Sequence, residues 1–351
     1  MEAEEFQGLI QNRRHMENTS KLKIGVLLPH VKLYGGIKRF FELGNHFVDL
    51  GHDFTAFTPA GEIPTWFKFK GSIKNKAELI SQDLDALFFT ELSLLDDVLT
   101  SKAQRKIFYI VNPSVNLNKI KKHKEIEFFA NSSNLLKRAK SKFGIDAFAA
   151  LGGVNLNNFP VKKIKPIVPN EPFTVMAYGR IAEGRKGTMY VVKACERLQK
   201  KGYKVKLLLF DTPVTDKIQK AIDRFKTTVP FEFVLNHPVE HNALLFHKAD
   251  IFVAPEKKTG YANTVVEAMA CGIPVVATSS GTNDLLFHSQ TGLLITRNSY
   301  KIRDAIIKLI TNYNLCVELT TNARKNVERL DWSILAANIV QNIMEKKVKD
   351  V

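Results

Sequence analysis

Arg180, Arg185 and Lys186 fall together in the stretch YGRIAEGRKGTMYVV. Three cations at a strand's carboxyl end, beside a helix start, oppose the usual preference for negative charge at that end of a helix. They raise the local field for an incoming anion such as a diphosphate, and the plainer account is a solvated polar loop. A second chemical stretch runs from Ile251 to Thr278, IFVAPEKKTGYANTVVEAMACGIPVVAT. Its apolar run Ile251 to Ala254 stops at Pro255, and a polar loop containing Gly260 then feeds a helical pattern from about Thr264. Thr264-x-x-Glu267 matches a capping box, in which Glu267 would bond the helix's first amides. A carboxylate near a strand's carboxyl end can equally accept two hydrogen bonds from a ribose diol, and spacing alone leaves both readings open. The third stretch is YGGIKRF, Tyr34 to Phe40. Paired glycines at a helix start, Gly35 and Gly36, let the backbone approach a ligand, and the free amides favour an anion. The spacing is neither a dinucleotide fingerprint nor a P-loop, so the pair taken alone is also compatible with a simple turn.

Those loops need strands and helices to hold them. A strand signal at Leu22 to Leu28 precedes YGGIKRF, and Phe40, Phe41, Leu43, Phe47, Val48 and Leu50 then form a helical stripe ending near Gly51. Phe54 to Phe57 reads as the next strand, which completes a βαβ unit, and DALFFT, KIFYIV, EFFANSS and AFAALG continue the series. PVKKIKPIVPNEP, Pro160 to Pro172, carries four prolines without a period and reads as a linker. Beyond it FTVMAYG, KVKLLLFD, FEFVLN, IFVAP, IPVVAT and GLLI alternate with helical patterns. Strands alternating with helices predict parallel sheets, and two such blocks predict two doubly wound α/β domains facing a cleft. The expected division is a polar tail at 1–20, a first domain at 21–160, a linker at 161–171, a second domain at 172–330 and a terminal helix at 331–351. Ligands of parallel sheets gather at the strands' carboxyl ends, where all three loops fall.

Length and composition agree. The chain has 351 residues, 45% hydrophobic and 25% charged, enough for two cores in a soluble protein. No apolar run approaches a bilayer span, and the acidic start MEAEEFQGLI lacks the features of a secretory signal. Cys195, Cys271 and Cys316 lie far apart, which predicts neither a disulfide framework nor a metal site and suits a reducing cytoplasm. No Asp-x-Asp pair is placed to hold a divalent ion, so no metal is expected. The net charge of +16 favours phosphate-bearing partners or reflects lysine on solvated faces. KIKKHKEIEFF, Lys119 to Phe129, concentrates that charge and reads as a solvated helix face or as peripheral contact with an anionic membrane. Nucleic-acid binding is disfavoured, because neither a recognition helix nor an aromatic RNA-binding signature is present.

With these motifs in place, the sequence resembles the family 4 retaining glycosyltransferases of GT-B architecture. The similarity runs from KIGVLLPHVKLYGGI through ANSSNLLKRAKSKFGI, LGGVNLNNFP and GRIAEGRKG to VVEAMACGIPVVAT and TGLLI, and EAMACGIPVVAT after ADIFVAP is its most specific part. It implies a UDP- or GDP-type nucleotide-sugar donor held by the second domain and a glycan or lipid-linked acceptor held by the first. By this resemblance Arg180 and Lys186 are the catalytic pair on the diphosphate, and Glu267 takes the ribose hydroxyls. Thr259, Gly260, Tyr261, Ala262, Asn263, Thr264 and Val265 meet the sugar and phosphates, while Gly35 and Gly36 approach the donor phosphate as the cleft closes. It also implies hexosyl transfer by front-face attack, without metal or cofactor, and a terminal helix that crosses back to the first domain.

Three positions depart from the family pattern. An acid usually stands eight residues before the one matching Glu267, and here that place holds Thr259, with Glu256 three residues earlier. SSGTNDLL is about one residue short of the usual double-glycine turn, with Asp284 as the nearest acid. The first domain often carries a histidine at a strand end, where this chain offers Thr90, Glu91 and Asn112 as acceptor-side candidates. Thr259 motivates an alternative, a nucleotide-sugar-binding protein of the same fold with lost or altered transferase activity.

Overall fold

The computed structural model describes residues 21–168, 171–213 and 215–349, and the expected polar tail at 1–20 lies outside them. The first sheet, in chain order, contains β1 (Lys23–Leu27), β2 (Asp53–Thr58), β3 (Ser72–Asn75), β4 (Ala86–Phe89), β5 (Arg105–Ile110), β6 (Ile126–Ala130) and β7 (Phe148–Ala149). Its spatial order is β3-β2-β1-β4-β5-β6-β7, and every pairing is parallel. The associated helices are α1 (Gly35–Asp49), α2 (Leu95–Thr100) and α3 (Ser133–Phe143). The second sheet contains β8 (Phe173–Tyr178), β9 (Val205–Asp211), β10 (Phe231–Leu235), β11 (Ile251–Ala254), β12 (Val275–Ala277) and β13 (Leu293–Leu294). It is ordered β10-β9-β8-β11-β12-β13 and is again parallel throughout. With it come α4 (Thr188–Lys200), α5 (Asp216–Asp223), α6 (Asn242–Phe246), α7 (Asn263–Ala270), α8 (Ser299–Ile310), α9 (Tyr313–Glu328) and α10 (Trp332–Lys349). Two doubly wound domains facing a cleft are therefore what the alternating pattern builds.

Each sheet reverses its order beside its first strand, between β1 and β4 and between β8 and β11. Such reversal points splay the flanking loops and leave a crevice at the carboxyl ends. Helix α1 ends as expected, with Gly51 at φ 87° just past its cap at Leu50, a backbone state that glycine adopts without a Cβ penalty. One expectation fails locally. Lys119 to Phe129 is not a helix face: a short 3₁₀ turn at Leu117–Lys119 leads through further turns into β6, and Lys119, Lys121, Lys122 and Lys124 stand exposed on them. Ile120 and Ile126 are buried, and pinning both ends of so short a stretch leaves no room for a helix.

The chain crosses between the domains twice, and the crossings brace each other. Gly152 and Gly153 have φ of 109° and 127°, and a Cβ on Gly153 would overlap the Trp332 indole. The amides of Gly153 and Val154 donate to the Leu330 carbonyl, Trp332 N–H donates back to Val154, and Leu156 N–H donates to Asp331. From there α10 lays Trp332, Leu335, Ala336, Ile339, Val340 and Ile343 into the first domain's core with Phe40 and Phe47 of α1. The terminal helix thus crosses back, as the resemblance implied.

Candidate active site

A cavity of about 580 Å³ opens between the domains at the carboxyl ends of both sheets. Its size is that of a small-molecule site. Six lysines and arginines line it against three carboxylates, which biases it toward an anion.

Two helix starts from opposite domains meet there. Helix α1 begins at Gly35 with no side-chain cap, and its first helical bond runs from Lys38 N–H to the Tyr34 carbonyl. The amides of Gly35, Gly36 and Ile37 are therefore left without helical acceptors. Helix α7 begins at Asn263, also uncapped by a side chain. A Cβ on Gly35 would sit 2.5 Å from Asn263 Nδ2, so glycine lets the Asn263 side chain lie against this helix start, and a larger residue would push that amide aside. The amides of Tyr261 and Thr264 find no acceptor among the described residues. Those of Ala262 and Val265 do, donating to the Gly281 and Ala262 carbonyls, and Val265 is fully buried away from the cavity wall. The expected run of ligand-facing amides from Tyr261 to Val265 is thus interrupted, because Ala262 is spent on holding the loop and Val265 on the helix.

The cations after β8 divide into two kinds. Arg180 is buried, and its guanidinium bonds both oxygens of Asp211, Glu183 and the Thr212 carbonyl. Burial alone would lower its pKa, but Asp211 outweighs it and holds the guanidinium charged. Arg180 touches the cavity, yet its donors are taken up within its own domain. Lys186 follows in a 3₁₀ turn, Gly184–Lys186, and reaches Glu256 with N–O distances of 3.1 and 3.0 Å. Its ammonium also lies 5.0 Å from the Tyr178 ring centre. Gly187, at φ 76°, packs so closely on the Pro255 carbonyl that a Cβ would not fit, which ties this loop to the one after β11. Glu256 is itself buried and accepts from the Thr259 hydroxyl at 2.5 Å. A carboxylate thus stands beside Thr259 after all, brought there by the turn between them.

Glu267 makes no capping box. The cap of α7 is Ala262, so Thr264 lies inside the first turn and Glu267 projects from the second. Its Oε1 accepts from Lys38 Nζ of α1 at 2.9 Å, across the cleft. Burial pulls the Lys38 pKa down, but Glu267 and Glu42 outweigh it and hold it above the ordinary value. Glu42, one turn along α1, is raised by its own burial, which Lys38 only partly offsets. Asp284 does not line the cavity. It accepts from Ser133 N–H at 2.9 Å, an acid from the second domain at the start of α3 in the first.

On the first-domain wall Asn112 lines the cavity, whereas Thr90 and Glu91 do not. After β4 the chain turns at Glu91 into a 3₁₀ turn, Leu92–Leu94, that buries Leu94, and neither side chain joins the cavity wall. Sequence reasoning missed Lys38, Arg39 and Asn131, all on the wall. Lys38 and Arg39 directly follow the glycine pair, and the helical period places Lys38 one turn from Gly35, which is the signal that could have found it. Arg39 is buried, donates to the Tyr109 hydroxyl and the Gly152 carbonyl, and lies against the rings of Tyr261 and Trp332. Asn131, also buried, leaves its Oδ1 without a partner. Among the described residues no three His, Cys, Asp or Glu side chains are grouped to hold a metal ion, and no helix is long and apolar enough to cross a membrane.

Residues 159–326 match the family described as glycosyl transferases group 1. Over 215 residues, 59% of this chain and 54% of the relative, it is 28% identical to the capsular polysaccharide biosynthesis glycosyltransferase CapM of Staphylococcus aureus. Over 201 residues, 56% of this chain and 52% of the relative, it is 25% identical to a phosphatidyl-myo-inositol mannosyltransferase of Mycolicibacterium smegmatis. The chain spans about half the length of these curated relatives. A glycosyltransferase structure from Rickettsia africae superposes with a TM-score of 0.73 at 16% identity, covering 93% of this chain and 99% of that one. Anabaena Alr3699/HepE, solved with UDP and glucose, superposes at 0.69 with 15% identity, covering 92% and 99%. These likenesses establish the GT-B fold.

Proposed function

We propose that the chain is a retaining, hexosyl-transferring glycosyltransferase that moves a sugar from a nucleoside diphosphate donor to a glycan or lipid-linked acceptor. The observation that carries this reading is the meeting of two uncapped helix starts with Lys186 in a cavity shared by both domains. That arrangement suits a diphosphate, and the family match over residues 159–326 adds to it. Lys186 and the amides of Tyr261 and Thr264 take the negative charge that builds on the leaving phosphate. Glu267 accepts from the ribose diol. The anomeric carbon–phosphate oxygen bond breaks while an acceptor oxygen bonds the same face of that carbon, and the acceptor's proton passes to the leaving phosphate. Neither a protein base nor a metal is assigned, since the chain's own cations and helix ends supply the charge. Glu256 on the Thr259 hydroxyl supports transfer over mere binding, because it returns a carboxylate to the place where Thr259 left one out.

A thermal-shift series with UDP, GDP, UDP-glucose and GDP-mannose tests the donor. A ligand at a hundred times its Kd stabilises the fold by about 2.7 kcal/mol, so one nucleotide series is expected to raise the melting temperature. No shift with any of them overturns the proposal. Saturable binding without release of nucleoside diphosphate across candidate acceptors favours the alternative, a nucleotide-sugar-binding protein.

The exposed lysines around Lys121 fit a peripheral contact with an anionic membrane, which suits a lipid-linked acceptor. Co-sedimentation with vesicles containing phosphatidylglycerol, and not with phosphatidylcholine alone, is the expected outcome. Equal behaviour with both counts against the contact.

A further inference from the structure

We propose that Lys38, supplied by the first domain, is a second reader of the donor's ribose diol, working with Glu267 across the cleft; this rests on the proposed donor reading. Both side chains line the cavity, and both are largely buried. Lys38 Nζ donates to Glu267 Oε1 at 2.9 Å, and among the described residues no other group donates to that carboxylate. Glu267 therefore keeps Oε2 for a ligand, and the Lys38 ammonium keeps two of its three N–H donors. A free acceptor and a free donor side by side match a vicinal diol, in which one hydroxyl donates to Oε2 and its neighbour accepts from Nζ. A lone carboxylate could accept from both hydroxyls but would leave their lone pairs unmet.

The origin of the two residues matters as much as their chemistry. Glu267 lies on α7 of the donor-side domain and Lys38 on α1 of the opposite one, 229 positions apart along the chain. A ribose seated on Glu267 in an open cleft meets only half of this pair. Closure brings Lys38 up, so recognition of the nucleotide is completed by the same movement that brings the acceptor side to the donor.

The test compares UDP with 2′-deoxy-UDP, and GDP with 2′-deoxy-GDP, by calorimetry on the full chain. The wild type is expected to prefer the ribonucleotide of one base by tenfold or more. Lys38→Met should cut that preference several-fold while leaving deoxynucleotide affinity near wild type, and Lys38→Arg should keep most of it. Glu267→Gln should reduce the preference too, and Lys38→Met added to it should reduce it little further. Equal losses for ribo- and deoxynucleotide in Lys38→Met overturn the inference, as does a wild type that binds both alike. If the wild type binds none of the four, the donor reading falls with it. Circular dichroism checks each variant's fold, and Lys38→Arg keeps the charge if the methionine variant does not fold; loss of the preference in that folded variant also overturns the inference.

Discussion

Lys186→Ala is expected to lower turnover by about 10²–10³, the usual loss when one preorganised electrostatic donor is removed. Lys186 is the cation after β8 best placed for this role. Arg180 spends its donors on Asp211, Glu183 and Thr212, whereas the Lys186 ammonium lines the cavity with one carboxylate partner, Glu256. That partner sharpens the prediction. Without Lys186, Glu256 remains as an uncompensated negative charge where the diphosphate must sit, so the variant loses an attraction and gains a repulsion. Glu256→Gln in the Lys186→Ala background should therefore recover part of the lost nucleotide affinity, although not the lost rate. The cavity admits water to replace the ammonium, so the melting temperature should move by only a few degrees. Steady-state release of nucleoside diphosphate, with melting curves on the same samples, checks both halves. Unchanged turnover in Lys186→Ala would remove Lys186 from the chemistry.

What the residues revealed alone depended on the range of the interaction. Most strands of both sheets, the helix start at Gly35 and the glycine past Leu50 were legible because each is set by local period or by backbone freedom. β3, Ser72–Asn75, was missed: its residues are mostly half-exposed and lack the apolar run that marks its neighbours. The capping box at Thr264 and Glu267 was a match of spacing alone. The chain entered the helix at Asn263, and Glu267 found Lys38 instead. Pairings across hundreds of residues leave no periodic trace, so Lys38 with Glu267 and Ser133 with Asp284 could not be read from one sequence. The same holds for Glu256, whose carboxylate reaches Thr259 only because the intervening loop turns back, with Lys258 at φ 58°. Thr90 and Glu91 show the converse error, in which a strand end was located and the direction of the next turn was not.

Gly260→Ala should leave both domains folded and cut transfer by about a hundredfold, the loss that a displacement near 1 Å can cause in a positioned reaction. The site is unusual in what constrains it. Gly260 does not lie in the left-handed region, so alanine suits its backbone and would, if anything, restrict the unfolded chain. The obstacle is across the cleft: a Cβ there would overlap the backbone carbonyl of Val111, from the loop after β5, with Leu135 of α3 at 3.3 Å beside it. A backbone carbonyl at a strand end cannot turn aside as a long side chain can. The domains must stand apart instead, and separation here also pulls Lys38 from Glu267 and Ser133 from Asp284, since all three contacts bridge the same cleft. Binding through the second domain alone should survive, so the variant should keep measurable affinity for a nucleotide sugar while turnover falls. Small-angle scattering with donor present should give a larger radius of gyration than the wild type. A variant with wild-type turnover would mean that the approach of Gly260 to Val111 is not part of the reacting state, and the donor loop would then work without the first domain closing on it.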